Sequence, residues 1–114
     1  METIRIADLG SVITGGTPSS RNPEYFGNDY PFVTPSDMDV SRTVNTERKI
    51  SEEGRTIFQR KCLPHGSICF VCIGATIGKI CMTTETSLTN QQINSVVVDK
   101  SQYNPFFVYY LLST

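Results

Sequence analysis

The sequence predicts an α+β fold: a single domain with a twisted mixed β-sheet of short strands, short flanking helices and long polar loops along one edge. Three observations predict it. A chain of 114 residues is long enough for one domain with a small core. Its apolar runs are at most seven residues long and rich in β-forming side chains, which favours short strands. Clusters of glycine, proline, serine and asparagine separate these runs and predict the loops.

The first third of the chain alternates short elements with loops. Residues 4–12 carry apolar side chains at a spacing that predicts a short helix running into a strand. Residues 15–23, which read Gly-Gly-Thr-Pro-Ser-Ser-Arg-Asn-Pro, form the strongest cluster of breaker residues, and we call this segment the polar loop. A short strand is predicted at residues 30–33, where Pro31 favours a strand start or an edge strand. Residues 34–39 form a second loop.

The middle of the chain carries most of its basic side chains and a second helix. Residues 40–50 are predicted to be extended. Ser51 is predicted to be the N-cap of a short helix, because Glu52 and Glu53 in the first turn interact favourably with the helix dipole. A turn at residues 62–66, which contains a proline and a glycine, ends this helix.

Three strands and a closing helix are predicted for the rest of the chain. The apolar run at residues 67–73 predicts a strand buried on both faces. After a turn at residues 74–76, residues 77–82 return as a second strand, and residues 93–99 form a third. Pro105 suits the first position of an aromatic-rich final helix.

The net charge is only −1, but the charges are unevenly distributed. Residues 1–40 carry six acidic and two basic side chains, whereas residues 42–61 carry six basic and three acidic ones. A basic segment in a nearly neutral chain is typical of one face that meets phosphates, and equally typical of a solvated helix with mixed charges. We expect a cytoplasmic protein, because no apolar run approaches the ~20 residues of a membrane span and the N-terminus does not resemble a signal peptide.

The four cysteines are interpreted as small hydrophobic side chains in a reducing compartment. The alternative is a zinc site, since Cys69 and Cys72 have the two-residue gap that zinc ribbons use. Side chains three apart in a strand point to opposite faces, however, and His65 is the only histidine. Core cysteines are therefore favoured, and neither a metal nor another cofactor is expected.

Three patterns that would indicate an enzyme are weak in this chain. Residues 74–80 superficially match a phosphate-binding loop, but the glycines are one residue too close and a hydrophobic residue stands where Ser or Thr is needed. His65 lies in a Pro-His-Gly turn without a catalytic partner nearby in sequence. Asp37, Glu47 and Lys49 faintly resemble the motif of metal-dependent DNA nucleases, which is the alternative function. No catalytic residue is predicted.

Seven short sequence blocks follow one another across nearly the whole chain. They lie at residues 6–10 with 15–19, 31–38, 50–54, 63–68, 73–79, 90–94 and 104–112. In this order they resemble the target recognition domain of the DNA-specificity subunit of type I restriction-modification systems. Each block is weak alone, but together they form a specific match.

The resemblance implies a non-catalytic subunit that reads double-stranded DNA, while partner subunits of the same system supply methylation and restriction. It also implies two such domains in tandem, each of which reads one half of a split target. Residues 1–114 are expected to be one partial domain, without its usual C-terminal end, the spacer helix and the second domain. A protein-interaction module that never touches DNA is a further alternative.

Residues suited to DNA contact are amides, hydroxyls and cations in the predicted loops and turns. Amides and arginine distinguish bases, whereas phosphates need only positive charge and hydroxyls. The candidates are Thr17, Ser19, Ser20, Arg21, Asn22, Arg42, Asn45, Arg48, Lys49, Lys79, Asn90, Gln91 and Gln92. Base readout is placed on the less family-like positions Arg21, Asn22, Arg42 and Asn45. Lys79 and the amides of residues 90–92 are assigned to phosphates or to the scaffold.

Overall fold

The computed structural model of the chain describes residues 5–38, 41–74 and 76–113. Helices and strands alternate with loops over these residues. In chain order the elements are α1 (Ile6–Leu9), β1 (Gly10–Thr14), β2 (Phe26–Gly27), β3 (Tyr30–Val33), β4 (Arg48–Ile50), α2 (Glu52–Ile57), β5 (Ile68–Ile73), β6 (Thr76–Met82), β7 (Leu88–Thr89), β8 (Asn94–Val98) and α3 (Pro105–Leu112).

The strands form two four-stranded sheets. The first sheet has the order β1-β8-β5-β6 and is antiparallel throughout, and the second has the order β2-β4-β3-β7 with one parallel pair, β3 and β7. The predicted α+β class with short strands is confirmed, although the strands divide into two sheets where one was predicted. The chain leaves the first sheet after β6 and adds the two-residue strand β7 to the second sheet beside β3. The amide turn, residues 90–92, then carries the chain into the first sheet at β8.

The core continues through β5 from one sheet face to the other. Ile68 and Phe70 pack with Val96 of β8 and Val108 of α3. Cys69, which points to the opposite face, lies in a second cluster between the sheets. Burying such side chains contributes roughly 1.5–3 kcal/mol each, so β5 ties the two halves of the core together.

The prediction that residues 67–73 are buried along their whole length is wrong for the second half. Ile68 to Phe70 are buried, whereas Cys72 and Ile73 are exposed, with Ile73 at 70% of its accessible surface. Strand β8 pairs only with residues 68–70. Beyond them, β5 and β6 continue as a two-stranded ribbon with an exposed tip, while Val71 and Ile77 stay half-buried against the core clusters.

Both predicted helix starts are confirmed. The side chain of Ser51 accepts a hydrogen bond from the backbone N–H of Gly54 at 3.1 Å, as an N-cap does. Pro105 occupies the first turn of α3, and Oδ1 of Asn104 accepts from the N–H of Phe106 at 2.8 Å. Of the segment predicted as extended, residues 40–50, only Arg48–Ile50 is a strand; residues 41–47 are irregular and residue 40 lies outside the described residues.

The cysteines occupy different environments. Cys69 and Cys81 are direct cross-strand neighbours and are buried, as predicted for core side chains. Cys62 is half-buried and Cys72 is exposed, so the core interpretation is wrong for Cys72. Among the residues that the structure describes, no group of three His, Cys, Asp or Glu side chains is arranged to hold a metal ion. No described helix is long and apolar enough to cross a bilayer.

Candidate nucleic-acid interface

The polar loop lies directly on the amide turn. The N–H of Gly16 donates to the carbonyl of Thr89 at 2.9 Å, immediately before the amide turn. The hydroxyl of Thr17 donates to Oε1 of Gln91 at 2.5 Å. Two predicted DNA-binding segments that are far apart in sequence therefore form one continuous polar surface.

A tight turn in the polar loop presents its side chains outward. The hydroxyl of Ser19 accepts from the N–H of Arg21 at 3.2 Å, and the Ser19 carbonyl accepts from the N–H of Asn22 at 3.0 Å. Ser20 and Arg21 are exposed at the tip of this turn, whereas Asn22 is half-buried. The backbone thus holds Ser20 and Arg21 at the surface.

The amides of the amide turn have unequal roles. Asn90 is half-buried, its N–H donates to the carbonyl of Val33 at 3.0 Å, and its Oδ1 accepts from the N–H of Gln92 at 3.1 Å. These bonds give Asn90 a scaffold role between the two sheets. Gln91 and Gln92 are exposed, and Gln91 receives the bond from Thr17.

Arg48 of β4 lies against an aromatic platform, which is formed by the rings of Phe26 and Phe32. The guanidinium carbon of Arg48 is 4.1 Å from the ring centroid of Phe26 and 5.8 Å from that of Phe32. Such cation–π contacts hold the planar guanidinium against the rings while leaving its N–H edges available. Lys49 is the next residue along the strand, so its side chain points to the other face.

A surface groove of about 270 Å³ runs beside these residues. Asn28 contributes an exposed amide to it, and Arg48 and Lys49 contribute two cations against one acid, Glu47. The groove is therefore both hydrogen-bonding and net positive, which suits a polyanion that carries donors and acceptors.

Other cations of the basic segment are already engaged within the protein. Arg55 forms an ion pair with Glu52, with 2.5 Å between Nη2 and Oε1, and its hydrogen bond holds the pKa of the Glu52 carboxyl below its usual range. Lys61 donates from Nζ to the carbonyl of Thr14 at 3.0 Å, next to the polar loop. Of the six basic side chains in residues 42–61, these two support the fold instead of facing solvent freely.

Three further candidates lie apart from the polar loop. The guanidinium carbon of Arg42 is 4.8 Å from the ring centroid of Phe106, and Nη1 donates to the hydroxyl of Tyr110 at 3.3 Å, so Arg42 packs on α3. Lys79 donates from Nζ to the carbonyl of Pro35 at 2.8 Å and ties the β5–β6 hairpin to the second loop. Asn45 is exposed between them in sequence.

Asp37, the first of the two acidic residues in the nuclease-like pattern, has a structural role. Oδ2 of Asp37 accepts from both the N–H and the hydroxyl of Thr34, at 2.9 and 3.0 Å, and Oδ1 accepts from the N–H of Glu47 at 3.4 Å. Both carboxylate oxygens are thus used to cap the turn at Pro35–Asp37 and to hold the start of the β4 segment. This arrangement accounts for Asp37 without a metal ion.

Sequence reasoning missed the aromatic platform under Arg48. Phe32 and Arg48 are opposite each other across β3 and β4, and Phe26 reaches the same side from β2. A 16-residue separation with an irregular loop in between leaves no periodic signal for this pairing. Only the register of the sheet brings the three side chains together.

Comparisons with known proteins agree on one family. A model of the type I restriction modification DNA specificity domain matches residues 1–114. The chain is 43% identical over 99 residues to the specificity subunit of the type I restriction enzyme HindI of Haemophilus influenzae, which covers 85% of this chain and 21% of that protein. It is 30% identical over 113 residues to the specificity subunit of the type I restriction enzyme MjaIX of Methanocaldococcus jannaschii, covering 96% and 26%.

A solved structure shares the fold. The crystal structure of the HsdS subunit from Thermoanaerobacter tengcongensis superposes with a TM-score of 0.67 at 14% identity, covering 96% of this chain and 26% of that one. The chain thus spans about a quarter or less of the length of each of these relatives.

Proposed function

Because the chain belongs to the type I restriction-modification DNA specificity domain family, we propose that it binds double-stranded DNA and reads part of a target sequence. The domain contributes recognition and no catalysis of its own. Methylation and restriction subunits of the same system act on the DNA that it selects. The names of the HindI and MjaIX relatives, both specificity subunits of type I restriction enzymes, support this proposal.

The observation that carries the proposal is the stacked guanidinium of Arg48. Arginine reads guanine by a bidentate pair of hydrogen bonds, for which its plane must be held in a fixed orientation. The rings of Phe26 and Phe32 restrain that plane. Lys49, whose side chain points to the other face of the strand, supplies a point charge for a phosphate. Both residues line the groove, so one short strand offers it a base-reading group and a backbone-binding group.

The polar loop and the amide turn extend this surface. Arg21 is exposed at the tip of a turn whose backbone is fixed by hydrogen bonds, which makes it the second proposed base reader. Thr17 and Gln91 are held together and are proposed to contact phosphates or base edges. Arg42 is the weakest of the base readers predicted from the sequence, because it does not line the groove and its Nη1 already donates to the hydroxyl of Tyr110.

The experiment measures the salt dependence of DNA binding. The affinity of the chain for a mixed-sequence duplex is determined by fluorescence anisotropy between 50 and 200 mM salt for the wild type, an Arg48→Gln/Lys49→Gln variant and an Arg60→Gln control. Each phosphate contact that is lost lowers the slope of log affinity against log salt by about 0.9. Arg60 is exposed but lies outside the groove, so its variant controls for the loss of one positive charge elsewhere on the surface.

We expect binding that weakens with salt, a lower slope for the double variant and a slope close to the wild type for the control. Binding that does not depend on salt, or an equal loss in both variants, would contradict the proposal and favour a protein-interaction module.

A further inference from the structure

A second basic site lies away from the groove, at the start of α3. A cleft of about 340 Å³ is bordered there by Arg42, His65 and Lys100, which come from three separate loops. No aspartate or glutamate of the described residues lines it. None of these residues except Arg42 stands out as a DNA contact in the sequence.

The cations of this cleft are held in place by their neighbours. Nζ of Lys100 donates to the carbonyl of His65 at 2.8 Å, which uses one of its three N–H groups and leaves two for a ligand. The guanidinium of Arg42 is held 4.8 Å from the ring centroid of Phe106. The N-terminal end of α3 also borders the cleft and adds a partial positive charge. An anion is therefore the ligand that the charges favour.

The rest of the lining is mainly apolar. Pro105 and Phe106 of α3 and Met82 of β6 form a smooth wall beside the cations. A free inorganic anion leaves such a wall unused, whereas a sugar-phosphate unit places its phosphate on the cations and its sugar on the ring. The combination matches one nucleotide of a nucleic-acid backbone.

The cleft and Lys49 of the proposed DNA-binding groove have neighbouring residues in common. Lys49 is directly opposite Pro31 across β4 and β3, so their side chains share a face. Pro31 in turn lines a small hollow with Thr83 and Thr84, and the same two threonines line the cleft. These shared neighbours connect Lys49 to the cleft through Pro31, Thr83 and Thr84.

We propose that this cleft binds one phosphate of the DNA backbone, with Lys100 and Arg42 as the cations and Phe106 against the adjacent deoxyribose. This inference rests on the proposed DNA binding and adds a contact to it. The contact is independent of sequence, because it involves no base edge. Its role is to fix the register of the domain on the duplex.

The test compares Lys100→Gln, Lys100→Arg and Lys49→Gln in the full chain by fluorescence anisotropy on two duplexes of unrelated sequence, with thermal unfolding as a check on the fold. Raising the salt from 50 to 200 mM lowers the affinity of each protein. When one phosphate contact is lost, the fold-loss of affinity over this range is about threefold smaller than in the wild type. We expect this change for Lys100→Gln on both duplexes equally, and wild-type behaviour for Lys100→Arg, which keeps the charge.

Each outcome decides a different point. If Lys100→Gln binds like the wild type while Lys49→Gln binds more weakly, the cleft does not contact DNA and only this inference fails. If the wild type itself shows no salt-dependent binding, the proposed function fails as well. Retention of a polyglutamate peptide in place of DNA, lost in Lys100→Gln, would overturn the inference in favour of an acidic protein partner.

Discussion

Gly15 lies so close to Thr89 that a methyl group on its Cα would be 2.1 Å from Oγ1 of Thr89 and 2.3 Å from its carbonyl oxygen. The neighbouring Gly16 donates its N–H to the same carbonyl at 2.9 Å. The polar loop is thus attached to the end of β7 by its backbone. Only a residue without a side chain permits this approach, and the attachment positions the exposed hydroxyls and Arg21 that follow.

Replacing Gly15 by alanine should therefore destabilise the domain and weaken DNA binding. The added methyl group meets backbone atoms that cannot move aside, and overpacking of this kind costs typically 1–3 kcal/mol. We expect a loss of that size in the free energy of urea unfolding, together with reduced DNA affinity.

Gly16→Ala is the matched control for this change. The atoms nearest to its methyl group are Cδ of Lys61 and a ring carbon of Phe58, both at 3.2 Å and both in side chains that can shift. Gly16→Ala should lower the free energy of unfolding by much less than Gly15→Ala does. Equal losses for the two variants would show that the loop is not attached to β7 in this way.

Arg48→Lys should reduce sequence discrimination while preserving charge. A lysine has no planar fork to stack on Phe26 and cannot bind guanine bidentately in the same way. We expect a preferred duplex to lose about 1–3 kcal/mol of its advantage over a mismatched one, with the salt slope unchanged. Competition binding with a selected and a scrambled duplex measures this loss of discrimination.

Lys49→Arg, the opposite exchange at the next residue, is the control for Arg48→Lys. Lys49→Arg keeps the charge that is proposed to contact a phosphate, so discrimination between the two duplexes should stay at the wild-type level. If Lys49→Arg alters discrimination and Arg48→Lys does not, the assignment of the two side chains is reversed.

Local features of this fold could be predicted from the sequence, whereas features that depend on long-range pairing could not. Ser51 and Pro105 were predicted correctly because capping and the proline preference are properties of neighbouring residues. The pairing of Phe32 with Arg48 depends on sheet register, which no local pattern records. The same holds for Lys100, whose place at the cleft depends on how α3 docks. Scaffold elements could thus be predicted, whereas the neighbours of each functional side chain could not.

Asp37→Ala tests the alternative in which this residue holds a catalytic metal. The structure assigns its carboxylate to Thr34 and the N–H of Glu47, so its removal should cost about 1–2 kcal/mol of stability through the lost cap. We expect no magnesium-dependent cleavage of duplex DNA by either the wild type or the variant. Cleavage by the wild type that disappears in Asp37→Ala would instead establish a nuclease.

The four cysteines should react with iodoacetamide in the order of their exposure. Cys72 is exposed and should be modified first, whereas burial raises the pKa of the Cys62 thiol and slows its reaction. The hydrogen bond with Cys69, together with burial, raises the pKa of Cys81 well above its usual range, and both should react only on unfolding. Peptide mass spectrometry of a time course at pH 8 identifies the order, and early modification of Cys69 would contradict the placement of β5 in the core.

The raised pKa of Cys62 also predicts how stability changes with pH. An unfolded thiol ionises at about 8.5, but the folded one stays neutral to higher pH because burial disfavours the thiolate. Its contribution is therefore fully present below about pH 8.5 and is lost as pH rises through the folded pKa. Urea unfolding between pH 7 and pH 10 should show a smaller decline for Cys62→Ala than for the wild type. A steeper decline in the variant would mean that the thiolate is stabilised in the folded state.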